Sequence, residues 1–245
     1  MSRTMLIAGN WKMNGLGTSL GFFEDLLSNL TENSAVDVLI CPPATLLSAA
    51  SAACRGISET LVSTGGQDCH WEASGAHTGD VSAQMLFDAG ADYVIVGHSE
   101  RRMDHKETSE MVRKKAEIAL KTNLTPIICV GETHEQRIAG QAETVVAEQV
   151  KASLPASEAG SVVIAYEPVW AIGTGLVASL DDIASMHAHI RSLLPDGEAT
   201  KILYGGSVKP GNARNIFELQ DVDGALVGGA SLEANSFSKI VSSAF

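Results

Sequence analysis

Eight short, unbroken apolar runs recur along this chain, each followed by a longer amphipathic stretch. They are Met5 to Ala8, Val36 to Ile40, Leu61 to Ser63, Tyr93 to Val96, Pro126 to Val130, Val162 to Tyr166, Ile202 to Tyr204 and Ala225 to Val227. A strand with one wet face alternates apolar and polar residues, whereas an unbroken apolar strand must be covered on both faces. The intervening segments supply the cover. Phe22, Phe23, Leu26, Leu27 and Leu30 make one helical stripe, and Met111, Lys115, Ile118 and Ala119 lie along another. Ser179 before Leu180-Asp181-Asp182 reads as a helix start, with a capping hydroxyl and acids in the first turn. Eight strand–helix units without a Pro/Ser-rich linker or charge block predict an α/β fold, a single closed (β/α)8 barrel over residues 1–245. A doubly wound sheet is the main competitor, but no G-x-G-x-x-G follows the first run. The longest gap without a strand, Gly66 to Asp92, carries Gly66, Gly75 and Gly79, with Gly65 just before it, and predicts a long projecting loop.

A length of 245 residues suits one barrel or two small domains, and 45% hydrophobic residues suffice for a large core. The net charge of −12 repels nucleic-acid backbones and anionic membranes, so an anionic metabolite would need a local positive site. Met1-Ser2-Arg3-Thr4-Met5 lacks the apolar core of a signal peptide, and no apolar run approaches the ~20 residues of a membrane span. A cytoplasmic protein is expected. The four cysteines show no C-x-x-C pairing, and Cys41 and Cys129 end apolar runs, so buried free thiols are expected and zinc is not. His187 and His189, two apart in a helical stretch, read as surface residues.

In a barrel of this kind the carboxyl ends of the strands converge on one face. Glu167 follows the run ending at Tyr166 and opens the segment Pro168-Val169-Trp170-Ala171-Ile172-Gly173-Thr174-Gly175. A carboxylate there sits at the mouth of the sheet, where loss of water would raise its pKa and strengthen it as a base. Pro168 stiffens one end of the segment and Gly173 and Gly175 free the other, a pattern suited to a lid and equally to an ordinary turn. Lys12, beside Asn10, reads either as a surface charge or as an anion holder. His98 follows an apolar strand and Gly97, so it is either a structural histidine or, at a helix N-terminus, a neutral hydrogen-bond donor. Gly205-Gly206-Ser207 and Gly228-Gly229 precede expected helix starts, where exposed N–H groups bind phosphate.

These segments closely resemble the triosephosphate isomerase family. Those that carry the resemblance are Ala8-Gly9-Asn10-Trp11-Lys12-Met13-Asn14, Gly97-His98-Ser99-Glu100-Arg101-Arg102, Ile128-Cys129-Val130-Gly131-Glu132, the stretch from Glu167 to Gly175, Tyr204-Gly205-Gly206-Ser207-Val208, and Val227-Gly228-Gly229-Ala230-Ser231-Leu232. They run in family order along essentially the whole chain. The resemblance implies a TIM barrel in which Glu167 is the base moving a proton between C1 and C2 of a triose phosphate. It makes His98 the group that polarises the carbonyl and shuttles protons between the oxygens. Asn10 and Lys12 would contact the substrate, Glu100 would support Lys12 and His98, and the N–H groups of Gly173, Ser207, Gly228 and Gly229 would hold the phosphate. A closing lid would shield the enediolate from water, and no cofactor or metal is expected.

The resemblance also implies a homodimer, with the loop Gln67 to Asp80 inserted beside the partner's Lys12 and Thr78 at its tip. Two positions depart from the family pattern: His77 where an aromatic ring is usual, and Leu176 where a lysine is common. Protonation of His77 is expected to loosen the dimer. The alternative activity is isomerisation of a four-carbon ketose phosphate by the same residues. A non-catalytic phosphate-binding barrel would lack one of Lys12, His98 or Glu167. A lyase or synthase barrel would carry a Schiff-base lysine or paired metal ligands.

Overall fold

The computed structural model describes residues 3–30, 36–57, 62–156, 162–171 and 177–245. Eight parallel strands close in sequence order: β1 Met5–Asn10, β2 Val36–Cys41, β3 Ser63–Gly66, β4 Tyr93–Val96, β5 Thr125–Val130, β6 Val163–Tyr166, β7 Lys201–Tyr204 and β8 Gly224–Val227. β8 returns to β1 with Leu6 opposite Gly224 and Gly9 opposite Val227. The unbroken apolar runs are explained by this closure. Leu6, Ala8, Leu39, Cys41, Ile95, Ile127, Cys129, Val163, Ala165, Leu203 and Leu226 fill the inside of the barrel. Their alternating neighbours, among them Ile7, Ile40, Val94, Ile128, Ile164 and Ile202, face the helices in a separate cluster. Both faces are dry, so both positions of the two-residue repeat are mostly apolar.

The outer helices are α1 Gly21–Asn29, α2 Ala44–Ile57, α3 Ala83–Asp88, α4 Ser99–Asp104, α5 Ser109–Lys121, α6 His134–Ile138, α7 Ala142–Ser153, α8 Leu180–Leu193, α9 Ala213–Phe217 and α10 Ala234–Ser242. α1 buries Phe22, Phe23, Leu26 and Leu27, the expected stripe, while Leu30 falls at its C-cap. At ~1.5–3 kcal/mol per fully buried side chain, such a stripe matters more than helix propensity. α8 starts as expected: the Ser179 hydroxyl accepts from the Asp182 N–H while the Asp182 side chain reaches back to the cap. α5 buries Lys115, whose ammonium lies 2.8 Å from Asp68 and 2.6 Å from Glu107. All four cysteines are buried and free.

Two expectations are corrected. The third strand lies at Ser63–Gly66 and not at Leu61 to Ser63, where Leu61 falls outside the described residues. Gly65 and Gly66 had the look of loop residues, yet they belong to the sheet because a Cβ would meet Cys41 Sγ at 2.8 Å and Leu86 Cδ1 at 2.5 Å. They are glycines for close packing, not for turning. His187 is not a surface residue but fully buried, on the same face of α8 as Ile183, Met186 and Ile190. Its Nδ1–H donates to the Asp221 carbonyl at 3.1 Å, and its ring packs edge-on against Tyr166. Burial lowers its pKa from 6.5 to about 4, keeping it neutral.

The loop Gln67 to Asp80 is pinned at its base. Gln67 Nε2 donates to the carbonyls of Lys12 and Cys41, both at 2.9 Å. Cys69 is buried and His70 N–H donates to Val81 O. Farther out, His70 stacks on Trp71 at 4.3 Å and meets His77 at 4.0 Å, and its Nδ1 accepts from the Glu72 N–H. Among the described residues, no helix is long and apolar enough to cross a membrane.

Candidate active site

The carboxyl ends of β1, β4, β6, β7 and β8 surround a cleft of about 390 Å³ lined by Asn10, Lys12, His98, Glu100, Glu167, Ser207, Gly228 and Gly229, among others. Of the candidate site residues, Gly173 alone lies outside the described residues; its neighbours Ile172, Thr174, Gly175 and Leu176 in the expected lid lie outside them too. The strands bring the rest together from positions as distant as Asn10 and Gly229.

Lys12 enters the cleft on strained backbone. Its φ of 54° lies in the left-handed region, which costs a residue bearing a Cβ ~1–3 kcal/mol and persists only when neighbours enforce it. Here they do: the Lys12 N–H donates to Asn10 Oδ1 at 3.0 Å and its carbonyl accepts from Gln67. The ammonium then reaches Glu100 Oε1 at 2.6 Å. Asn10 and Glu100 thus act first on Lys12, one on its backbone and one on its charge.

His98 caps α4, as its place after β4 and Gly97 implied. The Glu100 N–H donates to His98 Nδ1 at 3.3 Å, whereas the Glu100 carboxylate stands 3.5 Å away. A backbone N–H always carries its proton, so Nδ1 is the acceptor and Nε2 bears the hydrogen. Nε2 faces Glu167 Oε1 at 2.9 Å.

Glu167 is only 1% exposed, and its carboxylate accepts from the Ser99 N–H at 2.9 Å and the Ser99 hydroxyl at 3.2 Å. The expected desolvation is therefore real, but its expected consequence is reversed. Burial pushes Glu167 up, yet His98, the Ser99 N–H and Lys12 outweigh it and hold the carboxyl below the usual range. At His98 burial works against the cation, and the Glu167 carboxylate overrides it and raises the pKa. In this arrangement the carboxylate is parked on donors and is a weaker base than its burial alone would make it.

Ser99 was not foreseen, although its signal was present. It is the first residue of the helix that His98 caps, and the first N–H groups of a helix lack internal partners. Gly205 has a related role: a Cβ there would come within 2.9 Å of Glu167 Cγ, so its bareness makes room for the acid.

The opposite wall is backbone. No helix opens directly at Gly205-Gly206-Ser207; the chain turns and α9 begins only at Ala213, because Pro210 follows Lys209 and interrupts the run. Gly228 does cap a short 3-10 turn, Gly229–Leu232, and the Ser231 N–H and hydroxyl both donate to its carbonyl. Trp11 Nε1 fixes this turn from β1 by donating to Ser231 O at 3.1 Å. Among the described residues nothing accepts from the N–H groups of Ser207, Gly228 and Gly229. Unpaired donors at the mouth of a cleft suit an anion.

The start of the segment that follows Glu167 is anchored. Trp170 Nε1 donates to Glu132 Oε1 at 2.8 Å, Tyr166 donates to the same oxygen at 3.1 Å, and Arg137 lies 4.8 Å over the Trp170 ring. Among the described residues, one group of potential metal ligands, His70, His77 and Asp80, lies on the projecting loop and outside the cleft lining.

Comparison with known proteins agrees with this arrangement. The family model described as triosephosphate isomerase matches residues 5–244. The triosephosphate isomerase of Afipia carboxidovorans is 55% identical over 239 residues, covering 95% of this chain and 94% of that one. That of Ruegeria pomeroyi is 55% identical over 247 residues, covering 98% and 97%. The crystal structure of triosephosphate isomerase from Bartonella henselae superposes with a TM-score of 0.89 at 42% identity, covering 98% of each chain. From strand order to cleft, and over nearly its whole length, the chain belongs to the triosephosphate isomerase family.

Proposed function

We propose that Glu167, His98 and Lys12 carry out the isomerisation for which this family is named, interconverting dihydroxyacetone phosphate and D-glyceraldehyde 3-phosphate through an enediolate. The observation that supports this most directly is the convergence of a carboxylate, an Nε2–H imidazole and an ammonium on one cleft whose far wall presents unpaired N–H groups. A proton shift between adjacent carbons needs a base, a donor for the carbonyl oxygen and a countercharge for the oxyanion, and needs no electron acceptor.

In this reading the substrate carbonyl replaces Glu167 as acceptor of the His98 Nε2–H. Glu167, released from His98 and Ser99 into a site closed to water, regains the basicity that burial confers and takes a proton from C1. His98 passes a proton between the two oxygens, and Glu167 returns its proton to C2. Lys12 offsets the charge on the enediolate and the phosphate. The N–H groups of Ser207, Gly228, Gly229 and, in the lid, Gly173 hold the phosphate, while Glu100 and Asn10 keep Lys12 in place. Closure of the lid excludes water and prevents loss of phosphate.

We read residues 1–245 as one domain, cytoplasmic, since four buried free thiols suit a reducing compartment. We read the assembly as a homodimer in which the loop Gln67 to Asp80 enters the partner. The nearly bare Met13 side chain, 97% exposed beside Lys12, supports this.

The test is a coupled assay of glyceraldehyde 3-phosphate formation, with Glu167→Asp and a four-carbon ketose phosphate alongside. A kcat/KM of ~10⁶ M⁻¹s⁻¹ or more with the triose, collapsing in the variant, is the expected result. Faster turnover of the four-carbon substrate would keep the mechanism and overturn the substrate.

A further inference from the structure

A dianionic substrate must approach a protein of net charge −12, and the side chains described so far do not favour it. Lys12 is answered by Glu100 at 2.6 Å, and Glu167 adds a negative charge to the cleft. Those three side chains together carry a net negative charge. One further cation lines it: Lys209, which follows Ser207-Val208 on the wall of unpaired N–H groups. Its ammonium is exposed and, among the described residues, forms no ion pair or hydrogen bond.

The backbone beneath this lysine is fixed. Asn212 bridges the turn, donating from Nδ2 to the Ser207 carbonyl at 3.0 Å and accepting from the Lys209 N–H at 2.8 Å. The N–H groups of Asn212 and Ala213 both donate to the Lys209 carbonyl, at 3.1 and 3.0 Å. Pro210 restricts Lys209 further. One side-chain amide therefore ties the Ser207 segment and the root of Lys209 into a single rigid turn, so the cation and the N–H donors keep a constant relation.

We propose that Lys209 is a substrate-recruiting cation, placed at the rim to draw the phosphate dianion onto the N–H groups of Ser207, Gly228 and Gly229. It deepens the isomerase reading and rests on it. The role differs from that of Lys12. Lys12 is held by Glu100 beside the reacting carbons, so it serves the chemistry. Lys209 is free, exposed and at the phosphate end, so it serves encounter and binding. An exposed charge acts through solvent and is screened by salt, with a Debye length near 10 Å at about 0.1 M and 3 Å at about 1 M.

The experiment compares wild type, Lys209→Met, Lys209→Arg and Lys209→Glu at low and high ionic strength, with binding of inorganic phosphate measured calorimetrically in parallel. At low salt Lys209→Met is expected to lose roughly three- to tenfold in kcat/KM, and Lys209→Glu more, with the loss carried by KM more than by kcat. Lys209→Arg should retain wild-type values, and the deficit should shrink below about twofold at about 0.5 M salt. Weaker phosphate binding by Lys209→Met should follow the same salt dependence. Equal kcat/KM for wild type and Lys209→Met at low salt would overturn the proposal, as would a deficit that high salt leaves intact. If wild type failed to isomerise triose phosphate while phosphate binding still depended on Lys209, the isomerase reading would fall and the cation site would stand.

Discussion

The two walls of the cleft are built on opposite principles. On the side of β1, β4 and β6 the groups proposed to react are side chains, and each is held by another: Lys12 by Asn10 and Glu100, Glu167 by Ser99 and His98. On the side of β7 and β8 the groups proposed to bind phosphate are backbone N–H donors, on turns fixed by Asn212, Ser231 and Trp11. A proton transfer needs particular pKa values and cannot be done by amides. A phosphate needs only several donors at fixed positions, which amides supply without the desolvation cost of buried cations. The difference teaches that one carboxyl-end face can depend on side-chain identity on one side and on backbone shape on the other.

The largest effect is expected on the side-chain wall. Glu167→Asp withdraws the carboxylate by one methylene and should lower kcat/KM by ~10²–10³-fold with KM little changed, as steady-state kinetics would show. A loss confined to KM would mean that Glu167 binds rather than reacts.

His187 stands behind both walls, packed on Tyr166 and Tyr204, and tests whether a buried histidine outside the cleft behaves like His98. Its pKa is lowered in the fold, so the unfolded chain binds the extra proton between about 6.5 and about 4. Stability should therefore fall as pH drops through that window, by roughly 3 kcal/mol for this group, and level off below it. Denaturant melts of His187→Gln should lack that part of the acid loss. An unchanged pH profile would refute the neutral, buried assignment.

On the backbone wall, Gly228→Ala adds a Cβ that meets nothing closer than Lys12 Cε at 3.6 Å, so the fold should survive. If the Gly228 N–H holds the phosphate as proposed, the added methyl should raise KM roughly tenfold while the melting temperature stays the same. Unchanged KM would remove Gly228 from the phosphate site and weaken the contrast between the walls.

The smallest effect concerns the projecting loop. His77 lies 4.0 Å from the His70 ring, a contact within the loop proposed to enter a partner subunit. His77→Ala should weaken the proposed dimer by less than ~1 kcal/mol, read by sedimentation at matched concentrations. Equal dimer fractions in wild type and His77→Ala would show that this ring contact does not shape the interface.

Much of this was legible in the residues. The apolar runs gave seven strands within a residue or two, because a strand buried on both faces excludes polar residues. β3 was misplaced because its glycines pack where Cys41 and Leu86 leave no room, and a sequence shows a glycine without showing what presses on it. His187 was assigned to the surface even though Ile183, Met186 and Ile190 share its face at helical spacing. The period held the answer, and the polarity of imidazole obscured it.

What the sequence alone determined is the repeat that closes the barrel and the identity of Lys12, His98 and Glu167 at strand ends. Those follow from local pattern and from motifs confined to a few neighbouring residues. Only the tertiary structure decided that Glu167 rests on Ser99 and His98 below the usual carboxylate range. It also decided that Lys12 is strained and already paired, while Lys209 stands exposed at the rim with no ion pair among the described residues. A pKa and an ion pair are set by distances of about 3 Å between groups tens of residues apart. Closure of the barrel creates those distances.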